Sequence, residues 1–206
     1  MKPVCILMAS GIGRRFGANK LLEELAGKPL YRWALEAIPP ELFRQVIVVT
    51  GHAPVAAAAL ERGFQVIRNN RPEDGVSRTI RLGVEAAEDC AGALFMTADQ
   101  PLLTAETLEK LTSAFQAEPE CIHAAASDGI RGNPCLFPRK FFPELMGLQG
   151  DRGGAAVIRS HPECLRLVEV PSEELFDCDT PEALENCRVK AAKKSEKYAK
   201  ICLTSI

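Results

Sequence analysis

A stretch near the N-terminus combines glycine with positive charge at a spacing that could bind phosphate. The sequence ASGIGRRFGANK, residues 9–20, contains no acidic residue. Glycine lets the backbone approach a ligand closely, and successive backbone N–H groups can surround phosphate oxygens. Arginine offers a planar pair of donors to a phosphate, and lysine offers a point charge. The stretch therefore predicts a site that neutralises a polyphosphate. Its candidate residues are Gly11, Gly13, Gly17, Arg15 and Lys20.

The spacing separates this stretch from two familiar phosphate-binding loops. Its lysine is followed by Leu21 rather than by Ser or Thr, so the G-x-x-x-x-G-K-[ST] pattern of a P-loop is absent. Its glycines are spaced G-x-G-x-x-x-G, which differs from the G-x-G-x-x-G of dinucleotide-binding folds. The spacing alone leaves open a glycine-rich surface loop with solvated basic residues.

Two aspartate-containing segments could supply a metal site opposite this positive charge. Asp99 lies in LFMTADQPLL, just beyond an apolar run, and Asp177 and Asp179 lie in LFDCDTPEAL. Mg²⁺ prefers carboxylate oxygens and keeps several waters, so one or two aspartates suffice to hold it beside a polyphosphate. Asp99 could equally form the turn before a helix, and Asp179 or Thr180 could be the N-cap of a helix beginning at Pro181. The residues alone leave metal ligation and capping open.

The elements that must position these residues follow from the rhythm of apolar runs. Short runs rich in branched residues, such as VCILM and QVIVVT, alternate with longer stretches whose apolar residues recur at helical spacing. This alternation predicts βαβ units and an α/β fold of three layers, αβα, with a mostly parallel sheet. Ligands bind beyond the carboxyl ends of the strands in such sheets, where the glycine stretch and Asp99 are both expected. The expected strands are 4–8, 45–50, 93–97, 121–126, 134–137 and 165–170, and the expected helices are 29–38, 54–63, 77–89, 104–118, 139–147, 153–159 and 180–194.

Composition predicts one cytoplasmic domain over residues 1–206, with the tail after about residue 190 extending the last helix or fraying. The net charge is −2, so no global basic field favours nucleic acid or an anionic membrane as a partner. The N-terminal apolar run is too short for a secretory signal, and no run approaches the length of a membrane span. Eight cysteines occur without a C-x-x-C pair, which favours reduced, buried thiols over a zinc site or disulfide framework.

The glycine stretch carries a resemblance to a known family. ASGIGRRFGANK resembles the A-[AS]-G-x-[GS]-x-R-[FM]-G-x-x-K signature of the Rossmann-like nucleotidyltransferases, and within them the molybdenum cofactor cytidylyltransferase group. The resemblance implies a sheet of the nucleotide-diphospho-sugar transferase type and a loop that surrounds a triphosphate. It assigns Gly11, Gly13, Arg15 and Lys20 to phosphate binding, and it puts Ala9 and Ser10 near the base.

Three further segments extend the resemblance to the metal and the nucleotide. DQPLL matches the D-x-P element whose aspartate, here Asp99, holds Mg²⁺ in that family, and the D-x-D-T-P-E-[DA] segment makes Asp179 a second metal contact. DGVSRTIRLG resembles a G-M-S-x-S-L-x-x-G element beneath the nucleotide. Gly75, Ser77 and Thr79 are then candidates for base or ribose contacts, with an ordinary helix start as the alternative.

Two later segments resemble family elements associated with the acceptor. RGNPCLF is similar to G-H-P-V-L-F, and LQGDRGG is similar to G-D-x-G-A. The resemblance therefore implies Asn133 and Asp151 on the acceptor side. Asn133 stands where histidine is commoner, so the identity of the acceptor stays open.

The activity implied by the resemblance is transfer of CMP from CTP to the terminal phosphate of molybdopterin cofactor, with Mg²⁺ and release of pyrophosphate. The acceptor phosphate is itself the nucleophile, so the expected catalytic residues are Arg15, Lys20 and Asp99 rather than a nucleophilic side chain. The residues at 9–11 are nearer the A-A-G of cytidylyl-transferring relatives than the A-G-G of guanylyl-transferring ones. The alternatives are GTP as donor, a sugar phosphate or other small phosphate as acceptor, and a non-catalytic accessory protein that delivers nucleotide or cofactor to a molybdoenzyme client.

Three other residues receive no site role from the sequence. His52 is interpreted as a loop histidine after the strand 45–50, and Trp33 as a core residue of the helix 29–38. Cys178 is notable because it falls between two aspartates.

Overall fold

A seven-stranded sheet forms the centre of the protein, and a two-stranded hairpin lies outside it. The computed structural model describes residues 1–11 and 19–188. The strands are β1 (Val4–Met8), β2 (Glu24–Leu25), β3 (Lys28–Pro29), β4 (Val46–Thr50), β5 (Gln65–Arg68), β6 (Gly92–Thr97), β7 (Ile122–Ser127), β8 (Ile130–Pro138) and β9 (Leu165–Glu169).

The sheet is mostly parallel, as the alternation of strands and helices predicts. Its strand order is β5-β4-β1-β6-β8-β7-β9. β1 pairs in parallel with both β4 and β6, and β8 is the strand that runs antiparallel to its two neighbours. β1, β4 and β6 therefore end at the same edge, and the segments that follow β1 and β6 converge there.

Helices cover both faces of the sheet. They are α1 (Leu30–Ala37), α2 (Ala53–Glu61), α3 (Val76–Ala86), α4 (Ala105–Ala117), α5 (Phe142–Met146) and α6 (Ala155–Ser160). Residues 181–188 are also helical. In the part of the chain that the structure covers, no helix is both long enough and apolar enough to span a bilayer.

Alternating side chains of β1 show how the three layers are held together. Cys5 and Leu7 belong to a buried cluster with residues of α1, α2 and α4, whereas Val4 and Ile6 belong to a second cluster with residues of α3, α5 and α6. Successive side chains of a strand point to opposite faces, so an unbroken apolar run is what a strand buried on both faces requires. This confirms the αβα architecture.

The structure corrects several expected elements. The strand expected at 134–137 is part of the longer β8, and the helix expected at 139–147 is a 3₁₀ turn, Arg139–Phe141, followed by α5. β5 was not predicted because this edge strand is short and half-exposed, with little apolar pattern. The β2–β3 hairpin was also missed, because its turn places Ala26 at φ +52° beside Gly27 at φ +77°. Alanine gives no sequence signal for such a turn.

A small third cluster attaches the C-terminal helical segment to the hairpin. Cys178 and Cys187 are buried in it beside Leu25 and Leu30. Trp33 packs partly buried against this cluster rather than in the main core, and its indole N–H donates to the Leu25 carbonyl at 3.0 Å. The part of the helix expected beyond residue 188 lies outside the described residues.

Substitution of Gly92 by alanine tests the close packing between β6 and β8. A Cβ at this position would lie 2.5 Å from the Phe137 carbonyl oxygen, so Gly92→Ala is expected to lower the free energy of unfolding by about 1–3 kcal/mol. Gly147→Ala is the control, because its Cβ would meet atoms no closer than 3.5 Å at an ordinary φ of −78°. Urea unfolding measures both, and equal stability of the two variants would contradict this packing.

Candidate active site

One ammonium group joins two carboxylates at the carboxyl edge of the sheet. Lys20 Nζ lies 2.5 Å from Asp99 Oδ2 and 2.5 Å from Asp179 Oδ1. The Lys20 and Asp99 side chains are 12% and 16% exposed, so water is largely excluded from this pair, whereas Asp179 is 49% exposed. The structure thus brings together three of the predicted residues, which are separated by up to 159 positions in the chain.

Local hydrogen bonds hold Asp99 and the segment around Asp179 in place. Asp99 lies in the turn after β6, where the Ala98 N–H donates to the Met8 carbonyl at 3.2 Å and extends the β1–β6 pairing. The Cys178 N–H donates to the Asp99 carbonyl at 2.9 Å, which fixes the 177–179 segment against this turn. The buried Glu174 carboxylate accepts bonds from the N–H and hydroxyl of Thr104 and so anchors the same segment to the start of α4.

The site carries more negative than positive charge among the residues described. Burial raises the pKa of Asp177 to about 6, and the charges of Asp99 and Asp179 add to this rise. Burial by itself lowers the pKa of Lys20, but the adjacent carboxylates outweigh it and raise the pKa above its usual value. Lys20 is therefore a fixed positive charge, and the surrounding carboxylates favour a second cation.

The oxygens of Asp99 and Asp179 fit a divalent cation. Asp99 Oδ1 is buried without a hydrogen-bond partner in the described structure, so this oxygen is free to coordinate an ion once the side chain adjusts. The described residues contain no group of three or more side chains arranged to hold a metal. Two carboxylates with water and phosphate as the other ligands suit Mg²⁺ or Mn²⁺ and suit zinc poorly.

A first cavity of about 330 Å³ opens beside this charge cluster. Several residues predicted for nucleotide binding line it, and so does Asp151. Its lining comprises Met8, Ser10, Gly11, Lys20, Pro72, Gly75, Val76, Thr79, Thr97, Asp99 and Asp151.

Two predicted nucleotide-binding residues lie behind this lining. Ala9 is fully buried, and its N–H donates to the Val49 carbonyl at 2.9 Å. Ser77 is also fully buried, and its hydroxyl accepts a bond from Arg81. Gly13, Arg15 and Gly17 lie outside the described residues.

Gly75 brings the loop around Gly150 against the start of α3. Its φ is +86°, and a Cβ there would lie 2.4 Å from the Gly150 carbonyl. The Ser77 N–H donates to that same carbonyl at 3.1 Å. This contact brings the loop to the first cavity, and Asp151 lines that cavity together with Lys20 and Asp99.

A second cavity of about 370 Å³ contains Asn133. It shares Met8, Val76 and Thr97 with the first cavity, so the two cavities adjoin. Its apolar lining includes Ile80, Phe95, Phe137 and Leu145, and its polar lining includes Thr97, Gln100, Arg131, Asn133 and Asp177.

Sequence reasoning missed three polar residues of this second cavity. Thr97 Oγ1 and Gln100 Oε1 are buried without hydrogen-bond partners in the described structure, and Arg131 donates weakly to Cys135 Sγ at 3.8 Å. Gln100 belongs to the DQPLL segment, and Arg131 belongs to the RGNPCLF segment. Their position beside Asn133 depends on the β6–β8 pairing, which the sequence does not encode locally.

The cysteine between the two aspartates contacts another thiol. Cys178 Sγ lies 2.9 Å from Cys187 Sγ, and this contact together with burial raises the pKa of the Cys178 thiol. Seven cysteines lie in the described residues, and no disulfide joins them. Cys178 packs behind the charge cluster and does not line either cavity.

Comparison with known proteins shows that this chain is similar to nucleotide-transferring enzymes. Residues 5–165 match the family described as "MobA-like NTP transferase domain". The purine catabolism protein PucB of Bacillus subtilis (strain 168) is 29% identical over 196 residues, covering 89% of this chain and 94% of PucB. The molybdenum cofactor guanylyltransferase of Shewanella sediminis is 32% identical over 144 residues, covering 68% of this chain and 69% of that protein.

A solved structure has the same fold. Rv0371c from Mycobacterium tuberculosis H37Rv, determined as a complex with manganese, superimposes with a TM-score of 0.73 at 22% identity. The match covers 91% of this chain and 98% of that chain. At this identity, the likeness establishes the αβα fold.

Removing the Lys20 ammonium should change how the carboxylates bind a divalent cation. Lys20→Met is expected to tighten Mn²⁺ binding in the absence of nucleotide by roughly tenfold, because a competing positive charge leaves the two carboxylates. Asp99→Asn should weaken it by a similar factor. Electron paramagnetic resonance of free Mn²⁺ measures the affinities, with Lys110→Met on α4 as the control. Weaker or unchanged binding by Lys20→Met would contradict competition between the ammonium and the cation.

Proposed function

The chain belongs to the MobA-like NTP transferase family, and we propose that it transfers CMP from CTP to the terminal phosphate of molybdopterin cofactor with release of pyrophosphate. The observation that carries this proposal is the contact of Lys20 with Asp99 and Asp179 beside the first cavity, which adjoins the second. A reaction that joins two anionic substrates needs positive charge between them, which Lys20 and a divalent cation held by Asp99 and Asp179 would supply.

The first cavity is proposed to bind the nucleoside triphosphate. Ser10, Gly11, Gly75 and Thr79 line it and offer backbone and hydroxyl groups to the base and ribose. Ala9 and Ser77 support this lining from behind, through hydrogen bonds to Val49 and Arg81. Gly13 and Arg15 retain their proposed role at the phosphates from the family signature.

Lys20 is proposed to exchange partners when the triphosphate binds. Its ammonium now contacts two carboxylates, and it can instead stabilise negative charge on the α-phosphate and the departing pyrophosphate. Mg²⁺ held by Asp99 and Asp179 would supply charge neutralisation to the nucleotide phosphates. Alignment and electrostatic stabilisation then suffice, because the attacking phosphate oxygen is already anionic near neutral pH.

The second cavity is proposed to bind the acceptor. Its mixture of apolar walls with Asn133, Arg131 and Gln100 suits a flat, polar heterocycle that bears an anionic group. Asp151, which had been expected on this side, lines the first cavity and is proposed to act near the nucleotide.

GTP is the second candidate donor. The relative from Shewanella sediminis is named as a guanylyltransferase and is 32% identical over its matched region. The Ala9-Ser10-Gly11 sequence supports CTP, because a serine replaces the middle glycine of the guanylyl pattern.

A screen of the four nucleoside triphosphates, with Mg²⁺ and with or without purified molybdopterin cofactor, tests substrate choice. CTP is expected to release pyrophosphate only when the cofactor is present. Turnover with GTP alone among the four would favour the second donor, and turnover with a sugar phosphate would replace the acceptor. Nucleotide binding without metal-dependent release would favour an accessory protein.

Loss of the Lys20 charge or of the Asp99 charge should abolish most of the activity. Lys20→Ala and Asp99→Asn are each expected to lower turnover by about 10²- to 10³-fold, because each removes a charge preorganised for the transition state. Lys110→Ala, at an exposed ion pair on α4, is the matched control. Near-normal pyrophosphate release by both variants would refute the assignment of these residues.

Substitution of Asn133 should weaken binding of the acceptor and leave binding of the nucleotide unchanged. Asn133→Ala is expected to raise KM for the acceptor by about tenfold through loss of one or two hydrogen bonds, with KM for the triphosphate unaltered. Asn186→Ala, at an exposed position, serves as the control. A rise in KM for the triphosphate instead would contradict two separate subsites.

A further inference from the structure

His52 connects the two described ends of the glycine stretch. Its Nε2 lies 3.1 Å from the Gly11 carbonyl oxygen, and its Nδ1 lies 3.0 Å from Asn19 Nδ2. Gly11 lines the first cavity, and Asn19 immediately precedes Lys20. A single imidazole thus touches the residue before and the residue after segment 12–18.

The hydrogen-bond partners determine which imidazole nitrogen carries the proton. Asn19 Oδ1 accepts a bond from the Leu21 N–H at 3.3 Å, so the amide NH₂ of Asn19 faces His52. The NH₂ group donates, and Nδ1 must therefore accept. The proton then lies on Nε2, which donates to the Gly11 carbonyl. This neutral tautomer satisfies both contacts at once.

The backbone of His52 is itself held against the sheet. Its N–H donates to Thr50 Oγ1 at 3.0 Å, and that hydroxyl donates to the Ala9 carbonyl at 2.8 Å. Gly51 allows the chain to pass close to the Asn69 carbonyl, because a Cβ at position 51 would lie 2.7 Å from that oxygen. The imidazole therefore extends from a rigid turn between β4 and α2. It is only partly buried, so filling the core does not explain it.

We infer that His52 is a positioning residue that fixes the separation and orientation of Gly11, which lines the first cavity, and Asn19, which precedes Lys20, before a triphosphate binds. This inference rests on the proposed function, because it concerns the loop assigned there to phosphate binding. Holding Gly11 and Asn19 in place before binding reduces the conformational entropy that is lost when the ligand binds. His52 therefore supports affinity for the nucleotide and does not touch the reacting atoms.

Substitution of His52 should separate binding from turnover. His52→Ala is expected to raise KM for the triphosphate by about tenfold, through loss of two hydrogen bonds, while kcat changes by less than about threefold. His52→Gln keeps a donor near the Nε2 position and His52→Asn keeps an acceptor near Nδ1, so each should restore part of the affinity. His161→Gln is the control, since His161 pairs with Glu144 away from the site. Unchanged KM, or a loss confined to kcat, would overturn the inference.

A double-mutant cycle tests whether His52 and Asn19 act together. Asn19→Ala removes the partner of Nδ1, and the combined His52→Ala and Asn19→Ala variant should raise KM little beyond the more severe single variant. If the two single-variant increases in KM simply multiply in the double variant, His52 and Asn19 contribute independently, and the positioning role of His52 through Asn19 is overturned.

A measurement without substrate keeps this inference distinct from the proposed function. Long-range ¹H–¹⁵N spectra of the imidazoles should show the Nε2–H tautomer for His52 in the wild type and a mixture in Asn19→Ala. An Nδ1–H tautomer in the wild type overturns the proposed contacts of His52 with Gly11 and Asn19, whatever the activity. Absence of wild-type turnover with every triphosphate, together with the expected tautomer, would refute the proposed function and leave the contact itself supported.

Discussion

The contact of one ammonium with two carboxylates is the constraint on which the site depends. Lys20, Asp99 and Asp179 come from three distant parts of the chain, and two of them are largely buried. A half-buried charge without a partner is costly, so each group stabilises the position of the others. The segment around residue 179 must therefore stay docked on the turn after β6. Without that docking, Lys20 would keep Asp99 as a partner and lose its contact with Asp179.

Carboxylates at this edge of the sheet line both cavities. Asp99 lines the first cavity, Asp177 lines the second, and Thr97 belongs to both. A reaction between two bound anions requires this kind of geometry, because the substrates must meet while their charges are compensated. The proposed transfer follows from the adjacency of the cavities as much as from the identity of the charged residues.

Family membership and substrate choice depend on different features of the molecule. The αβα fold and the matched region over residues 5–165 establish a MobA-like NTP transferase. The proposal of CTP over GTP rests on Ser10 in the Ala9-Ser10-Gly11 sequence, and the relatives include a protein named as a guanylyltransferase. Positioning of Gly11 and Asn19 depends on a further feature, because the proposed contacts of His52 with them involve neither the family signature nor the aspartate segments.

The sequence by itself determined the features that depend on local patterns and on side-chain type. The unbroken apolar runs of β1 and β4 predicted strands buried on both faces, and the start of the glycine stretch and Asp99 lie beyond the ends of β1 and β6, as predicted. Tertiary structure alone decided that Lys20 meets both Asp99 and Asp179, that Asp151 lines the first cavity, and that Ala9 and Ser77 lie behind it. It also decided that His52 reaches both Gly11 and Asn19. The physical reason is that periodicity and turn chemistry act between neighbours, whereas these contacts form between distant segments that only strand order and loop packing bring together.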